Sequence, residues 1–173
     1  TLGAQHFAQW GGTSTDNKIG KQPQSLKDLI RVIFGQKGGG DATLSDQINV
    51  LGSHYGSYDF KLSYTTKDWG GHFYYQHYFN DKSGIEFANK SDGLWGIQVD
   101  LPTIPWLNKI VGEYLVTMNQ SGPMHFITFD RDKWQGGRGG GNDDYYNNGE
   151  YRTGFSYFNR GIGSPLIPAP EYN

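Results

Sequence analysis

Apolar and polar residues alternate with a period of two along much of the chain, which is the pattern of half-buried β-strands. The clearest example is 58–65, where Tyr58, Phe60 and Leu62 lie on one face and polar residues lie on the other. The pattern therefore predicts an all-β protein. The predicted strands are 54–65, 70–79, 93–101 and 109–119, with weaker candidates at 2–10 and 151–158.

One segment follows a helical period instead. Ser25 and Asp28 form a capping box that predicts a helix start, and Gly35 predicts its end. The helix lies inside a long connection and does not alternate regularly with strands, so a parallel α/β fold is excluded. Four apolar residues fall on one face of this helix, namely Leu26, Leu29, Ile30 and Ile33.

Long and short connections alternate along the predicted strands. This order is typical of an antiparallel up-and-down meander, and outer-membrane β-barrels show it with short periplasmic turns and long extracellular loops. We therefore expect the fold to be part of a transmembrane outer-membrane β-barrel. The connections run long (11–47), short (65–69), medium (80–92), short (102–108) and long (120–150). Trp10, Trp69, Trp95 and Trp106 lie near strand ends, where interfacial aromatic residues are expected.

A soluble β-sandwich or jelly roll produces the same alternation. Two features favour the barrel: the apolar face is rich in Tyr and Phe, and the polar face carries uncharged Gln, Ser, Thr and Asn. About six strands are clear, whereas a closed membrane barrel needs at least about eight. We therefore expect residues 1–173 to form one domain that is a portion of a larger barrel.

Composition narrows the functional classes. Aromatic residues make up 16%, charged residues 18%, and the formal net charge is -2, which excludes a basic nucleic-acid binder and a charged disordered tail. The absence of cysteine removes disulfides, thiolate metal sites and cysteine nucleophiles. The sequence contains no run of about 18 apolar residues, so no transmembrane helix is predicted.

Short motifs follow one another over nearly the whole chain: QHFAQWGG (5–12), LGSH (51–54), YD (58–59), YQ (75–76), DKSG (81–84), SDGLWGI (91–97), EY (113–114), TMNQSG (117–122), DDYYNNGEY (143–151) and GIGSPL (161–166). As an ordered set they resemble the Wzi-type capsule assembly proteins of the bacterial outer membrane, in the form found in Bacteroidetes. The resemblance implies a large outer-membrane barrel of which this chain matches a later portion. It also implies a non-catalytic, lectin-like role in attaching or organising capsular polysaccharide, with outer-membrane lipid and other outer-membrane proteins as further partners.

The segment 130–150 contains the residue types that bind sugars, because aromatic faces stack on pyranose rings while amides and carboxylates bind hydroxyls. Its glycines allow the backbone to approach a ligand closely. The alternative is a surface loop whose Asn, Asp and Gly supply turns. Calcium is a weaker alternative, because Asp130 and Asp132 begin like an EF-hand but Trp134 and Gln135 break the pattern. The predicted ligand residues are Trp134, Arg138, Asn142, Asp143, Asp144, Tyr145 and Tyr146.

Catalytic and cofactor signals are weak. Glu113 and Asp100 are the candidate pair for a glycosidase, against the alternative of polar lumen residues. His72 and His77 lie on opposite faces of one strand, which argues against zinc. No serine-hydrolase elbow or complete P-loop is present, so no enzyme activity, metal or cofactor is predicted. The basic residues near the helix are candidates for anionic polysaccharide or lipopolysaccharide, or form a solvated face: Lys18, Lys21, Lys27 and Arg31.

Two other functions stay open at this point. One is a soluble secreted carbohydrate-binding or glycosidase domain. The other is an accessory barrel subunit of a larger outer-membrane complex without its own ligand.

Overall fold

A computed structural model describes residues 1–123, 141, 145 and 148–156, together with the backbone at 129–130, 133–134, 157 and 160–161. The long strands are β1 (Leu2–Gln9), β2 (Ser53–Thr65), β3 (Gly70–Phe79), β4 (Gly93–Asp100) and β5 (Lys109–Val116). The helices are α1 (Leu26–Ile33), α2 (Leu44–Ile48) and α3 (Lys82–Ile85). Four two-residue strands form two small hairpins: β6 (Phe129–Asp130) with β7 (Lys133–Trp134), and β8 (Ser156–Tyr157) with β9 (Arg160–Gly161).

The five long strands form one antiparallel sheet in the order β1-β2-β3-β4-β5. Phe73 of β3 pairs with Ile97 of β4, which pairs with Gly112 of β5. Each strand therefore lies beside its neighbour in sequence, as an up-and-down meander requires. The prediction of an all-β meander is confirmed, including the four strands expected to be antiparallel neighbours.

The predicted alternation of connection lengths is also present. Residues 66–69 join β2 to β3, and 101–108 join β4 to β5, whereas 10–52 and 80–92 are the longer connections. In a meander, the two short turns lie at the same end of the sheet. This arrangement places Trp69 and Trp106, both exposed, at one end.

Two local expectations need correction. Residues 151–158 do not form one strand: Gly154 donates to the Tyr151 carbonyl in a turn, with a positive φ at Gly154, and of the described residues 151–157 only Ser156–Tyr157 is in a strand. The helices α2 and α3 were not predicted, because each has five residues or fewer and is too short to show a helical period. Their start signals are local caps, Thr43 for α2 and Asp81 for α3.

The chain divides into two compact units. The strand unit comprises Thr1–Gln5, Ser57–Tyr78 and Ser91–Met118, and the loop unit comprises His6–Gly56, Phe79–Lys90 and Asn119–Asn173.

The strand unit has two chemically different sheet faces. Side chains paired in register share a face, so Phe73 and Ile97 lie on the apolar face while their neighbours His72 and Gln98 lie on the polar one. Aromatic rings run across the apolar face. Tyr75 stacks on Trp95 at 4.0 Å, Phe73 lies 6.0 Å from Trp95, and Phe60 lies 6.2 Å from Phe73.

The loop unit has a small apolar cluster and well-capped helices. Val32 of α1 packs with Ala42 and Leu51, and Ala8 and Trp10 pack against them. The predicted capping box of α1 is confirmed, with Ser25 and Asp28 bonding to each other's backbone. No helix among the described residues is long and apolar enough to cross a membrane.

Candidate functional site

The predicted ligand loop is described only in part. Tyr145 is described with its side chain, and Trp134 is described in its backbone as part of β7. The remaining predicted ligand residues lie outside the described residues: Arg138, Asn142, Asp143, Asp144 and Tyr146. Polysaccharide binding by this loop therefore stays a prediction.

Tyr145 is an anchor inside the loop unit. Its ring is buried, and its hydroxyl accepts a hydrogen bond from Asn89 Nδ2 at 2.6 Å. Its backbone N–H donates to the side-chain oxygen of Gln120. Because both groups that it contacts belong to the protein, Tyr145 positions the chain around it and does not offer its ring to solvent.

A group of acidic side chains lies around Glu150, the last residue of segment 130–150. Asp46 is buried, and burial raises its pKa to about 7, with the charge of Glu150 adding to the shift. Thr43 donates its hydroxyl to Glu150 and caps α2 by accepting from the Asp46 backbone N–H. Burial also raises the pKa of Tyr151, with smaller contributions from the charges of Asp46 and Glu150. At neutral pH the Asp46 carboxyl is therefore about half protonated, whereas solvent-exposed carboxyls are ionised.

Gly52 supplies a fixed donor to this group. Its N–H lies 2.8 Å from Asp46 Oδ2. The residue has φ +88°, and a Cβ there would lie 2.5 Å from the carbonyl oxygen of Gln9, so glycine is required. The Asp46 carboxyl is therefore positioned by backbone.

Asp46 also borders a small cavity of about 50 Å³ within the loop unit. A polar cavity of this size holds a few water molecules and is too small for a sugar ring. Among the described residues, no group of three or more metal-binding side chains converges. The cavity is lined by Ser45, Asp46, Asn49, Val50, Gly52, Ser53, His54, Asn80, Asp81 and Asn148.

Two residues of the cavity wall tie separate segments together. His54 Nε2 lies 2.8 Å from the Leu51 carbonyl oxygen, so this nitrogen carries the proton and donates. His54 Nδ1 is then the acceptor, and it accepts a hydrogen bond from His6 Nε2 at 2.7 Å. Asp81 accepts from the Gly84 N–H at 2.9 Å and from Asn49 Nδ2 at 3.3 Å, and burial raises its pKa. These contacts are structural, since each polar atom is satisfied by the protein itself.

The polar face of the strand unit carries a second candidate site. Asp59 accepts hydrogen bonds from Gln5 at 3.3 Å, Gln76 at 3.1 Å and Ser57 at 2.9 Å. A groove of about 510 Å³ lies over this face. Its lining includes Gly3, Asp59, Lys61, His72, Tyr74, Gln76 and Gln98.

The two carboxylates considered as a glycosidase pair do not come together. Glu113 lies opposite Gly96, whereas Asp100 lies opposite Lys109, so four strand positions separate the two carboxylates. That spacing corresponds to about 13 Å, beyond the roughly 5–9.5 Å between glycosidase carboxylates. Glu113 instead accepts a hydrogen bond from Tyr74, whose ring lies over Gly96, where a Cβ would approach the ring to 2.0 Å.

A comparison with protein-family profiles, with curated proteins and with solved structures finds no match to this chain.

No pattern in the sequence indicated that Asp46, His54 and Asp81 would border one cavity. Local caps mark Asp46 and Asp81 individually, but their meeting depends on how the long connections pack.

Proposed function

We propose that this chain forms part of an outer-membrane β-barrel that holds or organises surface polysaccharide without catalysis. The observation that carries the proposal is the difference between the two faces of the sheet. One face of the strand unit is apolar, aromatic and exposed, and the other is polar and internally hydrogen-bonded.

The apolar face suits lipid better than water. Leu62 is 64% exposed and Ile97 is 57% exposed, and Phe60 and Tyr114 are also exposed. Removing one large apolar side chain from water contributes about 1.5–3 kcal/mol. At exposed fractions of 41–67%, the four residues leave about half of that free energy unrealised, roughly 3–7 kcal/mol in all, which is comparable with the net stability of a typical domain. Hydrocarbon around this face recovers that free energy.

The tryptophans at the two short turns also support a membrane environment for the strand unit. Trp69 and Trp106 lie in the two short turns at one end of the meander and are exposed, and Tyr64 contacts Trp69 with its ring at 5.4 Å. Tryptophan and tyrosine are favoured at membrane–water interfaces, where one part of the ring system is apolar and the other is hydrated. The short-turn end of the strand unit therefore suits a membrane interface.

The polar face suits a wet lumen. Asp59 and its amide partners lie on this face, and Gln98 donates to Asp100 at 2.8 Å. Charged groups are expensive against hydrocarbon but are normal inside a water-filled barrel. A closed barrel needs at least about eight strands. The proposal therefore requires strands beyond the described five, which would pair with the open edges at β1 and β5.

The polysaccharide role rests on the motif resemblance and on the residue types of 130–150. β5 ends at Val116, at the end of the sheet opposite the short turns, and 130–150 follows it in the sequence; long extracellular loops are expected after such strand ends in a barrel. Sugar binding by aromatic and amide side chains needs no catalytic pair. We therefore propose attachment or organisation of polysaccharide as the function.

The barrel is tested by labelling adjacent residues on opposite faces. Residues 1–173 contain no cysteine, so Ile97→Cys and Gln98→Cys each provide one labelling site for an environment-sensitive fluorophore in a version of the full-length protein from which any cysteine elsewhere has been replaced by serine. We expect nitroxide-labelled lipid to quench the label at position 97 at least severalfold more than the label at 98. Aqueous iodide should give the reverse order. Equal quenching at both positions would contradict the barrel.

The polysaccharide role is tested in cells. A deletion strain complemented with Trp134→Ala or with Asp143→Asn and Asp144→Asn should retain less cell-attached capsule than one complemented with the natural gene, at equal protein level. Capsule released into the medium should rise correspondingly. Unchanged retention with all of these variants would count against ligand binding by the loop while leaving the barrel intact.

A further inference from the structure

Helix α1 presents its apolar face to solvent. Leu26 is 74% exposed, and Phe34, the C-cap residue, is 71% exposed. Ile30 and Ile33 lie between them on the same face and are about half exposed. An amphipathic helix normally turns this face toward the core, so its exposure calls for an occupant.

The opposite side of α1 fixes this orientation. Asp28 is buried and accepts from the Ser25 hydroxyl at 2.6 Å, from the Ser25 N–H at 3.0 Å and from Arg31 at 2.8 Å. These partners hold the pKa of Asp28 below its usual value, with the Ser25 hydroxyl as the largest cause. Val32 packs with Leu51 in the apolar cluster. The bonds of Asp28 lie within the helix and its cap, so the orientation is fixed by Val32: turning the apolar face inward would remove Val32 from its contact with Leu51.

The segment that carries α1 is basic, although the formal net charge of the whole chain is -2. Residues 17–37 contain four lysines and one arginine against one aspartate. That aspartate pairs with Arg31, and Asp16 just before the segment pairs with Arg152 at 3.0 Å. Three exposed lysines have no ion-pair partner among the described residues: Lys18, Lys21 and Lys27.

We propose that α1 lies flat on the surface of an anionic lipid bilayer, with its exposed apolar side chains at the acyl boundary and the three unpaired lysines at the headgroup phosphates. Apolar burial and attraction to anionic lipid are the two contributions that hold such helices at a membrane interface. A helix of 8 residues is about 12 Å long, far shorter than the roughly 30 Å hydrocarbon core, so it lies on the bilayer and does not cross it.

A second copy of the chain fits this face less well than lipid. Two α1 helices packed face to face would bring the Lys27 side chains of both copies to one interface, where the one acid of the helix, Asp28, already pairs with Arg31. Anionic headgroups supply the missing negative charge. This proposal does not depend on the β-barrel, because α1 belongs to the loop unit and needs only a bilayer surface.

The test uses one fluorophore on the apolar face. Ile30→Cys in the full-length natural protein carries the label, and the protein is added to, or reconstituted with, phosphatidylcholine vesicles with and without phosphatidylglycerol. With phosphatidylglycerol we expect a blue shift and quenching by lipid carrying a nitroxide near the headgroup. Replacing Lys18, Lys21 and Lys27 by Gln should weaken this response about fivefold per lysine.

Gly149→Cys provides the matched control in the loop unit, since Gly149 is exposed and a Cβ there meets nothing within 4 Å. Its label should not shift. An unchanged Ile30 label on phosphatidylglycerol vesicles overturns the proposal, and so does an equal response on neutral vesicles. The labels at 97 and 98 report separately on the barrel, so failure of either proposal is recognised by itself.

Discussion

The strand unit and the loop unit are stabilised in different ways. In the strand unit, ladder hydrogen bonds hold the strands together while large apolar side chains such as Leu62 and Ile97 stay exposed. In the loop unit, Leu51 is 1% exposed and buried polar groups such as Asp46 and Asp81 find partners within the chain. The loop unit therefore carries its own stabilising contacts, whereas the apolar face of the strand unit needs something outside the described residues.

The largest expected effect comes from replacing a leucine by alanine, once in each unit. Leu51→Ala should lower the free energy of unfolding by about 3–5 kcal/mol, because it leaves a cavity in the apolar cluster. Leu62→Ala should change it by less than about 0.5 kcal/mol in water, where the side chain is largely exposed. Denaturant unfolding of both variants measures the difference. Similar losses would show that Leu62 is packed as tightly as Leu51 and would remove the contrast between the units.

A smaller effect is expected from the pH dependence of the loop unit. Burial raises the pKa of Asp46 from 3.8 to about 7, so the folded state binds a proton that the unfolded state releases. Stability from this group is therefore complete below pH 3.8 and is lost as pH rises through 7, by on the order of 4 kcal/mol. Asp81, whose pKa is also raised by burial, contributes in the same direction.

Asp46→Asn keeps an oxygen that accepts from the Gly52 N–H but removes the titration. We expect this variant to be more stable than the natural protein at pH 7.5 and to lose the decline between pH 4 and pH 7 that Asp46 causes. Denaturant midpoints at four pH values across this range provide the measurement. Parallel pH profiles for the two proteins would show that Asp46 titrates as an ordinary carboxyl.

The smallest effect is expected at the cap of α1. Ser25→Ala removes the hydroxyl that binds Asp28 and caps the helix, and should cost about 1 kcal/mol of stability. Ser25→Thr keeps a hydroxyl and serves as the control. Hydrogen exchange of the α1 amides should become about fivefold faster in the alanine variant, because a free-energy loss of about 1 kcal/mol corresponds to that factor. In the threonine variant the exchange rate should stay near that of the natural protein. No change in the alanine variant would mean that packing of Val32 alone fixes the helix.

Local patterns predicted the elements that depend on neighbouring residues. The period of two in 58–65 gave β2, and the Ser25 and Asp28 box gave α1. The segment 151–158 was predicted wrongly, because its weak alternation competes with a turn at Gly154. Of the candidate ligand residues, only Tyr145 has a described side chain, and its contact with Asn89 joins positions that no local pattern relates.

The sequence by itself determined the five long strands, their meander order and the two chemically distinct faces of their sheet, because alternation and short turns act between residues close in the chain. Only the tertiary structure decided which face of α1 is covered and which acids are buried beside the cavity at Asp46. The physical reason is that burial and the pKa shifts it causes depend on contacts between segments far apart in sequence, such as Thr43 with Glu150. The same periodicity in α1 is compatible with a face turned inward or outward, and the packing of Val32 against Leu51 selects the outward one.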